Sequence, residues 1–422
     1  EQSVEGIKPL SSISESPKFN LSWITAFTVL VVGIIGFRFQ EMPFGKITTN
    51  AAGETIYKWG FVSTKATNDG FVDGWARWNF TGYEGKSAYA EYRAVVETMK
   101  NIGQDPNLGC GRALWENNGE LNKYGTTMSL MLLPHWTKGC IGSMEGLNFE
   151  AAGTTPYHFI TAAAMSKQSS NPVRELRYDD NNAGLGVRYL QELGVRYYMA
   201  FTAEAINQAN MQAALVKVAQ SGPWVIYKVE KSDLVVPMSV QPVIVTSKIG
   251  DPKERWLEIG TSWFQHPEDW AAVPVASGPE SWQKVEAIVD LNRRQGEPTD
   301  SSRRVDIVKP SETINKVELP AVQVSNTVLE DEAISFTVDK VGVPVLVRMS
   351  YFPNWKVENA EGPFRVAPNM MVVIPTSNEV RLHYGYSFID FFAYFMTFLG
   401  VATMAVRWRG RQVERNRKLL SR

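Results

Sequence analysis

The sequence predicts an α+β membrane protein: two transmembrane helices flanking an exterior small α/β domain and an antiparallel β-sandwich. Three observations predict it. Apolar runs stand near both ends of the 422-residue chain, at Leu21–Phe37 without a charge and at Phe388–Val406 with Asp390 as its one charged residue. The region between them alternates helical and strand periodicity. From about Val305 onward the period shortens to two, as in sheets with one buried face. The formal charge of −1 argues against a nucleic-acid binder, which carries a basic excess.

Residues 1–20 are read as a cytoplasmic segment and 21–38 as the first transmembrane helix. LSWITAFTVLVVGIIGF, 17 residues without a charge, rises about 25 Å, near the lower limit for crossing hydrocarbon. A cleaved signal peptide competes with this reading, but Arg38-Phe39-Gln40 lacks the small residues of a cleavage site. The second transmembrane helix is placed over 387–406, between Tyr384 and Tyr386 on one side and Trp408 on the other, aromatics suited to the interface. Asp390, at its outer end, reads as an interfacial carboxylate rather than a proton relay. The tail 407–422 has seven basic residues and one acidic, which places it in the cytoplasm. Both termini are then cytoplasmic, and the large middle lies on the periplasmic or extracellular side of the plasma membrane. Removing the tail's net +6 from −1 leaves −7 on residues 1–406. Residues 1–38 balance and Asp390 carries one charge, so the exterior region holds about −6.

The exterior α/β domain is placed at 39–250. It opens on an extended lead-in to about residue 85. The helix Ser87–Ile102 follows, with Tyr92, Val95, Val96 and Met99 at helical spacing. Arg112–Trp115 and Met128–Pro134 read as strands, and Cys140–Phe159 as a long Gly- and Thr-rich loop. Then come a helix Gly184–Leu193, a buried strand Val195–Phe201 and a helix Ala203–Ala213. Strands Leu215–Ala219 and Trp224–Val229 meet across a Ser221-Gly222-Pro223 turn. Residues 251–300 read as a helical insertion rich in Trp (Trp256, Trp263, Trp270, Trp282), and 301–386 as the β-sandwich. Cys110 and Cys140 are the only cysteines and both fall in the exterior region. A disulfide between them suits an oxidising compartment, against two buried thiols as the alternative. His135, His158, His266 and His383 are scattered, so no metal site is expected, and no cofactor motif is present.

Several segments together carry a resemblance. They are WNFTGYEGKSAYAEYR from Trp78, GCGRALWE from Gly109, MLLPHWTKGCIGSMEGLNFEAAGTTPYHF from Met131, LGVRYYMAF from Leu193, SGPWVIYKV from Ser221, and SYFPNWKV with APNMMVVIPT from Ser350. The set resembles the C-terminal third of large actinobacterial polytopic membrane proteins of the YfhO-like type, which include a pyruvoyl-tetrahydropterin-synthase-related region. Such proteins look like glycosyltransferases of GT-C architecture. The resemblance implies a polyprenyl-phosphate sugar donor, a glycan or glycolipid acceptor, and further membrane helices of the same protein. It also puts the catalytic carboxylate on a first exterior loop that these residues do not contain, so no catalytic residue is named. The chain is therefore expected to be a non-catalytic exterior module. The alternative is a complete two-helix envelope-biogenesis factor binding a glycolipid or a lipid transporter.

Sugar sites combine an aromatic face for C–H stacking with carboxylates or amides for the hydroxyls. Residues 69–158 are densest in these groups. Beside Asp69, Asp73 and Trp75, the candidates are Trp78, Tyr83, Glu84, Trp115, Glu116, His135, Trp136, Glu145, Tyr157 and His158, weighed against simple packing of the aromatics. A hydrolytic pair would need two carboxylates about 5 to 9 Å apart; Glu145 and Glu150 are the weak candidates. Asn79-Phe80-Thr81 matches a glycosylation sequon and reads as chance. Tyr351, Phe352 and Trp355 read as fixing the sandwich edge.

Overall fold

The computed structural model describes residues 21–38, 40, 42–50, 52–66, 77–146, 152–246, 252–294 and 305–420. They form two compact units, one running to Tyr89 with Lys123–Gly125, the other comprising Ala90–Asn122 and everything from Thr126 on. The readings on residues 1–20, on Asp69, Asp73 and Trp75, and on Glu150 lie outside the described residues.

In the first unit, α1 (Leu21–Arg38) is followed by a meander of β1 (Lys46–Thr49), β2 (Thr55–Trp59) and β3 (Val62–Lys65), and by the single turn α2 (Arg77–Phe80). The lead-in is thus sheet rather than extended chain. Its strands are mostly solvent-exposed, so no apolar alternation marks them. The buried exception, Tyr57, accepts the Met42 N–H on its hydroxyl at 2.8 Å, and Phe37 meets Trp59 edge to face.

The second unit opens with α3 (Tyr89–Gln104), whose Tyr92, Val95, Val96, Met99 and Ile102 form one buried stripe. Next come β4 (Gly111–Trp115), a 3-10 turn and the one-turn α4 (Leu133–Trp136), then β5 (Ile141–Ser143) and α5 (Thr155–Ala164). Two readings are corrected here. Met128–Pro134 is helical, because Pro134 enters α4 at its first turn, where it lacks nothing the helix needs. The apolar run was too short to show its period. Within Cys140–Phe159, the described residues include an edge strand of three residues, Ile141–Ser143, and the start of α5 at Thr155. Then follow α6 (Ala183–Glu192), β6 (Val195–Ala200), α7 (Ala203–Asn210), β7 (Leu215–Ser221) and β8 (Trp224–Val229). The sheet order is β5-β4-β6-β8-β7. β4 lies parallel to β5 and β6, while β8 is antiparallel to both its neighbours. Cys110, just before β4, and Cys140, just before β5, are joined in a disulfide.

The remaining elements are β9 (Val235–Pro237), β10 (Val243–Thr246), α8 (Pro252–Gln265), β11 (Pro274–Val275), β12 (Lys284–Val289), α9 (Leu291–Arg294) and β13 (Val308–Pro310). After them come β14 (Val324–Leu329), β15 (Ala333–Val338), β16 (Val345–Val347), β17 (Trp355–Glu358), β18 (Ala360–Val366), β19 (Met370–Pro375), β20 (Glu379–Tyr384) and α10 (Phe388–Leu420). An eight-stranded sheet, β13-β12-β10-β11-β18-β19-β16-β9, faces a four-stranded one, β14-β15-β20-β17. Val345, Val347, Met371 and Val373 of the first pack against Ile334, Phe336, Val338, Val380 and Leu382 of the second. The sandwich is therefore present, but it recruits β9 to β12 from before residue 301. Over the described residues 252–294 the predicted helix is present as α8, but the segment is no separate insertion: β11 and β12 pair with β10 inside the larger sheet. Val285 and Ala287 give β12 its two-residue period, and the four Trp side chains are buried in the core beneath. β19 is buried at every position because its other face, through Met370, Val372 and Ile374, joins that same core.

Among the described residues one helix is long and apolar enough to cross a membrane, over Phe388–Val413, with none of that stretch buried inside the protein. The apolar part of α1, Trp23–Phe37, is shorter than that measure. α10 runs on through the basic tail as one helix of 33 residues.

Candidate functional site

In open α/β sheets ligands settle beyond the carboxyl ends of parallel strands, where two neighbouring strands send their connections in opposite directions. Here that point lies between β4 and β6: the chain leaves β4 toward β5 on one side and leaves β6 toward β7 on the other. The residues standing there are Glu116, directly after β4, and Phe201 and Thr202, directly after β6.

Glu116 is completely buried. One carboxylate oxygen accepts the backbone N–H of Phe201 and of Thr202, both at 2.8 Å; the other accepts the Thr202 hydroxyl at 2.7 Å. Thr202 is also the N-cap of α7, its Oγ1 accepting the Ala205 N–H at 3.2 Å. A carboxylate at a helix start, held by backbone N–H groups, is where an anionic ligand commonly binds. The chain has filled that place with its own side chain. Around it, Asn117 N–H donates to Ser166 Oγ at 2.9 Å, and the buried Asn118 accepts the Glu120 N–H at 2.9 Å.

Beside β5, Glu145 and His158 face each other, with Oε1 and Nε2 2.7 Å apart and side chains only 6% and 1% exposed. Such a pair is the orienting half of a nucleophilic triad. Sealed as it is, it acts as a staple between the end of β5 and α5. Trp115 Nε1 donates to Thr127 O at 3.3 Å, and Tyr157 packs edge to face on Phe264. Burial pushes the Tyr157 phenol up, against the pull of the nearby Arg365 cation.

The sequence candidates thus separate into three places. Trp115, Glu116, Glu145, Tyr157 and His158 gather in the interior around the carboxyl end of the parallel strands, all buried. His135 and Trp136 lie exposed on α4, where Trp136 Nε1 donates to the Tyr92 hydroxyl at 2.9 Å and the His135 ring meets Trp136 edge to face. Trp78, Tyr83 and Glu84 belong to the first unit. There Lys86 Nζ sits 4.0 Å over the Trp78 ring, and partial burial raises the Tyr83 phenol. Thr202 and Ser166 are missed by sequence reasoning. The N-cap signature of Thr202 before AEAINQ was the available signal, but nothing local links it to a carboxylate 86 residues away.

The YFPNW turn carries a joint. Asn354 Nδ2 donates to Gly385 O at 2.9 Å and to Asp390 Oδ2 at 3.3 Å. Asp390 Oδ2 also accepts the backbone N–H and the hydroxyl of Ser387, both at 2.6 Å, while its own N–H reaches back to Ser387 Oγ at 3.4 Å. This is a capping box at the start of α10, and it fastens the helix to the four-stranded sheet. Phe352 stacks on Tyr384 and Trp355 meets Tyr384 edge to face. Both Phe352 and Tyr384 remain well exposed. No family model, curated protein or solved structure matches this chain.

Proposed function

We propose that this chain is the exterior module of a GT-C-like cell-envelope glycosyltransferase using a polyprenyl-phosphate sugar donor, and that its role is to cap and orient rather than to catalyse. The observation that carries the reading is the joint between Asn354 and the first turn of α10. An unburied apolar helix needs lipid around it, and a rigid joint at its outer end holds the sandwich at the membrane surface. The disulfide fits an oxidising exterior. The ligand crevice of the α/β sheet is closed by Glu116, which supports a supporting rather than a reactive role for that sheet. Planar polar groups for an acceptor glycan are available on the outer hollow of the four-stranded sheet, where Arg381 pairs with Glu330 at 3.1 Å and His383 with Glu358 at 3.5 Å beside Tyr384.

Two measurements test this. The full chain in proteoliposomes, given a polyprenyl-phosphate sugar and a glycan acceptor, is expected to transfer nothing; sustained turnover overturns the non-catalytic role. In intact cells, after reduction, Cys110 and Cys140 are expected to react with a membrane-impermeant maleimide once mildly unfolded. Labelling that appears only after lysis overturns the exterior placement.

A further inference from the structure

Strand directions identify the end of the sandwich nearest α10. β20 runs toward the helix, and β17 starts at that same end because Trp355 pairs with Tyr384. The β18–β19 turn lies there too: Tyr351 N–H donates to Asn369 O at 2.9 Å, and Tyr351 stands three residues before Asn354, which touches Asp390. Beside this turn, the guanidinium carbon of Arg365 lies 4.8 Å from the ring centre of Trp256 and 5.9 Å from that of Tyr351. Its Nε donates to Asn369 Oδ1 at 2.6 Å. Asn369 is itself only 1% exposed and tied to Ser350 Oγ at 3.2 Å, so the guanidinium is held at one corner.

The rest of that guanidinium is unspent. Arg112, Arg177, Arg188 and Arg348 place terminal nitrogens on backbone carbonyls of Leu193, Val305, Phe264 and Asp233. Among the described residues, the terminal nitrogens of Arg365 meet no acceptor and no carboxylate pairs with it. The Arg365 side chain is half-buried, so its charge is partly stripped of water with no carboxylate beside it among the described residues, an arrangement that favours an anion from outside. A guanidinium fork matches two oxygens of a phosphate, and aromatic walls hold its plane. With α10 read as a membrane helix, the anions at the level of its first turn are headgroup phosphates.

We propose that Arg365, between Trp256 and Tyr351, is a phosphate-ester site at the membrane-proximal end of the sandwich, filled by the headgroup phosphate of a membrane lipid. The inference rests on reading α10 as a membrane helix. The test is native mass spectrometry of the full chain in neutral detergent, titrated with phosphatidylglycerol and, separately, with glycerol 3-phosphate. Arg365→Gln keeps the basic tail, so tail-bound lipid is common to both proteins. The tightest phosphatidylglycerol adduct is expected to weaken about tenfold in Arg365→Gln, and several-fold in Arg365→Lys, which keeps charge but not the fork. Arg365-dependent binding of glycerol 3-phosphate without any of lipid upholds the phosphate site but assigns it a soluble ligand. Unchanged binding of both ligands in the two variants overturns the proposal, and Arg365→Lys decides if the Gln variant melts abnormally. Membrane retention of the wild type through an alkaline carbonate wash is scored separately. Wash-out overturns the reading of α10, whereas retention without Arg365 dependence overturns the site alone.

Discussion

Replacing Glu116 by Ala removes one acceptor group from three donors at once: the N–H groups of Phe201 and Thr202 and the Thr202 hydroxyl. Hydrogen bonds to a charged group contribute about 1.5–3 kcal/mol each, but one carboxylate serving three donors does not give three full increments. With Phe201 buried, its orphaned N–H carries a desolvation cost, and we expect a total loss of about 4 kcal/mol. Glu116→Gln keeps one oxygen for the two N–H groups and offers the Thr202 oxygen a donor, so about 1–2 kcal/mol is expected. For a unit of this size each kcal/mol moves the melting temperature by roughly 1.5 °C. The Ala variant is therefore expected to melt about 6 °C lower and the Gln variant about 2 °C lower. Trp224, fully buried and 5.0 Å from the Phe201 ring, is placed to report the change by its fluorescence. Equal losses in the two variants, or a shift under about 1 °C for Ala, would refute the claim that the carboxylate's hydrogen bonds hold the β4 and β6 ends together.

Reducing the Cys110–Cys140 bridge, which closes a separation of 30 residues, is expected to cost about 3.5 kcal/mol in the chain-entropy model, seen as a lower melting temperature with reductant; no shift would mean the bridge is unneeded. Asn354→Ala releases Gly385 and Asp390 together, so chymotrypsin is expected to cut at Tyr384 or Tyr386 several times faster in detergent, while folding of the sandwich, followed by circular dichroism, stays unchanged. At Asp290, burial works to raise the carboxyl, but the hydrogen bonds from Lys309 and the Asn292 N–H, together with the Arg293 charge, hold it below the usual range. A depressed carboxylate adds stability above its unfolded value near 3.9 and loses it as pH falls through the lower folded value. Asp290→Asn should therefore flatten the decline of melting temperature below about pH 4 and leave the curve's shape near neutrality alone.

What the sequence determined by itself is whatever rests on local period and composition. The stripe Tyr92-Val95-Val96-Met99 marks α3, the apolar run of VRYYMA marks β6, and Thr202 marks the start of α7, because each signal lies within one or two turns of chain. The apolar run from Phe388, with Asp390 as its one charge, declares a helix long and apolar enough to cross a membrane. Partnership across distance belonged to the tertiary structure. KVEAIV has a strand's period, yet only its pairing with β10 makes it an inner strand of the larger sheet instead of part of an insertion. Glu116 looks like any polar residue after a strand; its three donors come together only because β4 and β6 lie side by side. Arg365, Trp256 and Tyr351 are far apart in sequence, and each alone reads as ordinary. Hydrogen bonds and cation–π contacts act over a few ångströms, so their meaning is set by which strands become neighbours, and that choice is made by the shared core rather than by any local stretch of chain.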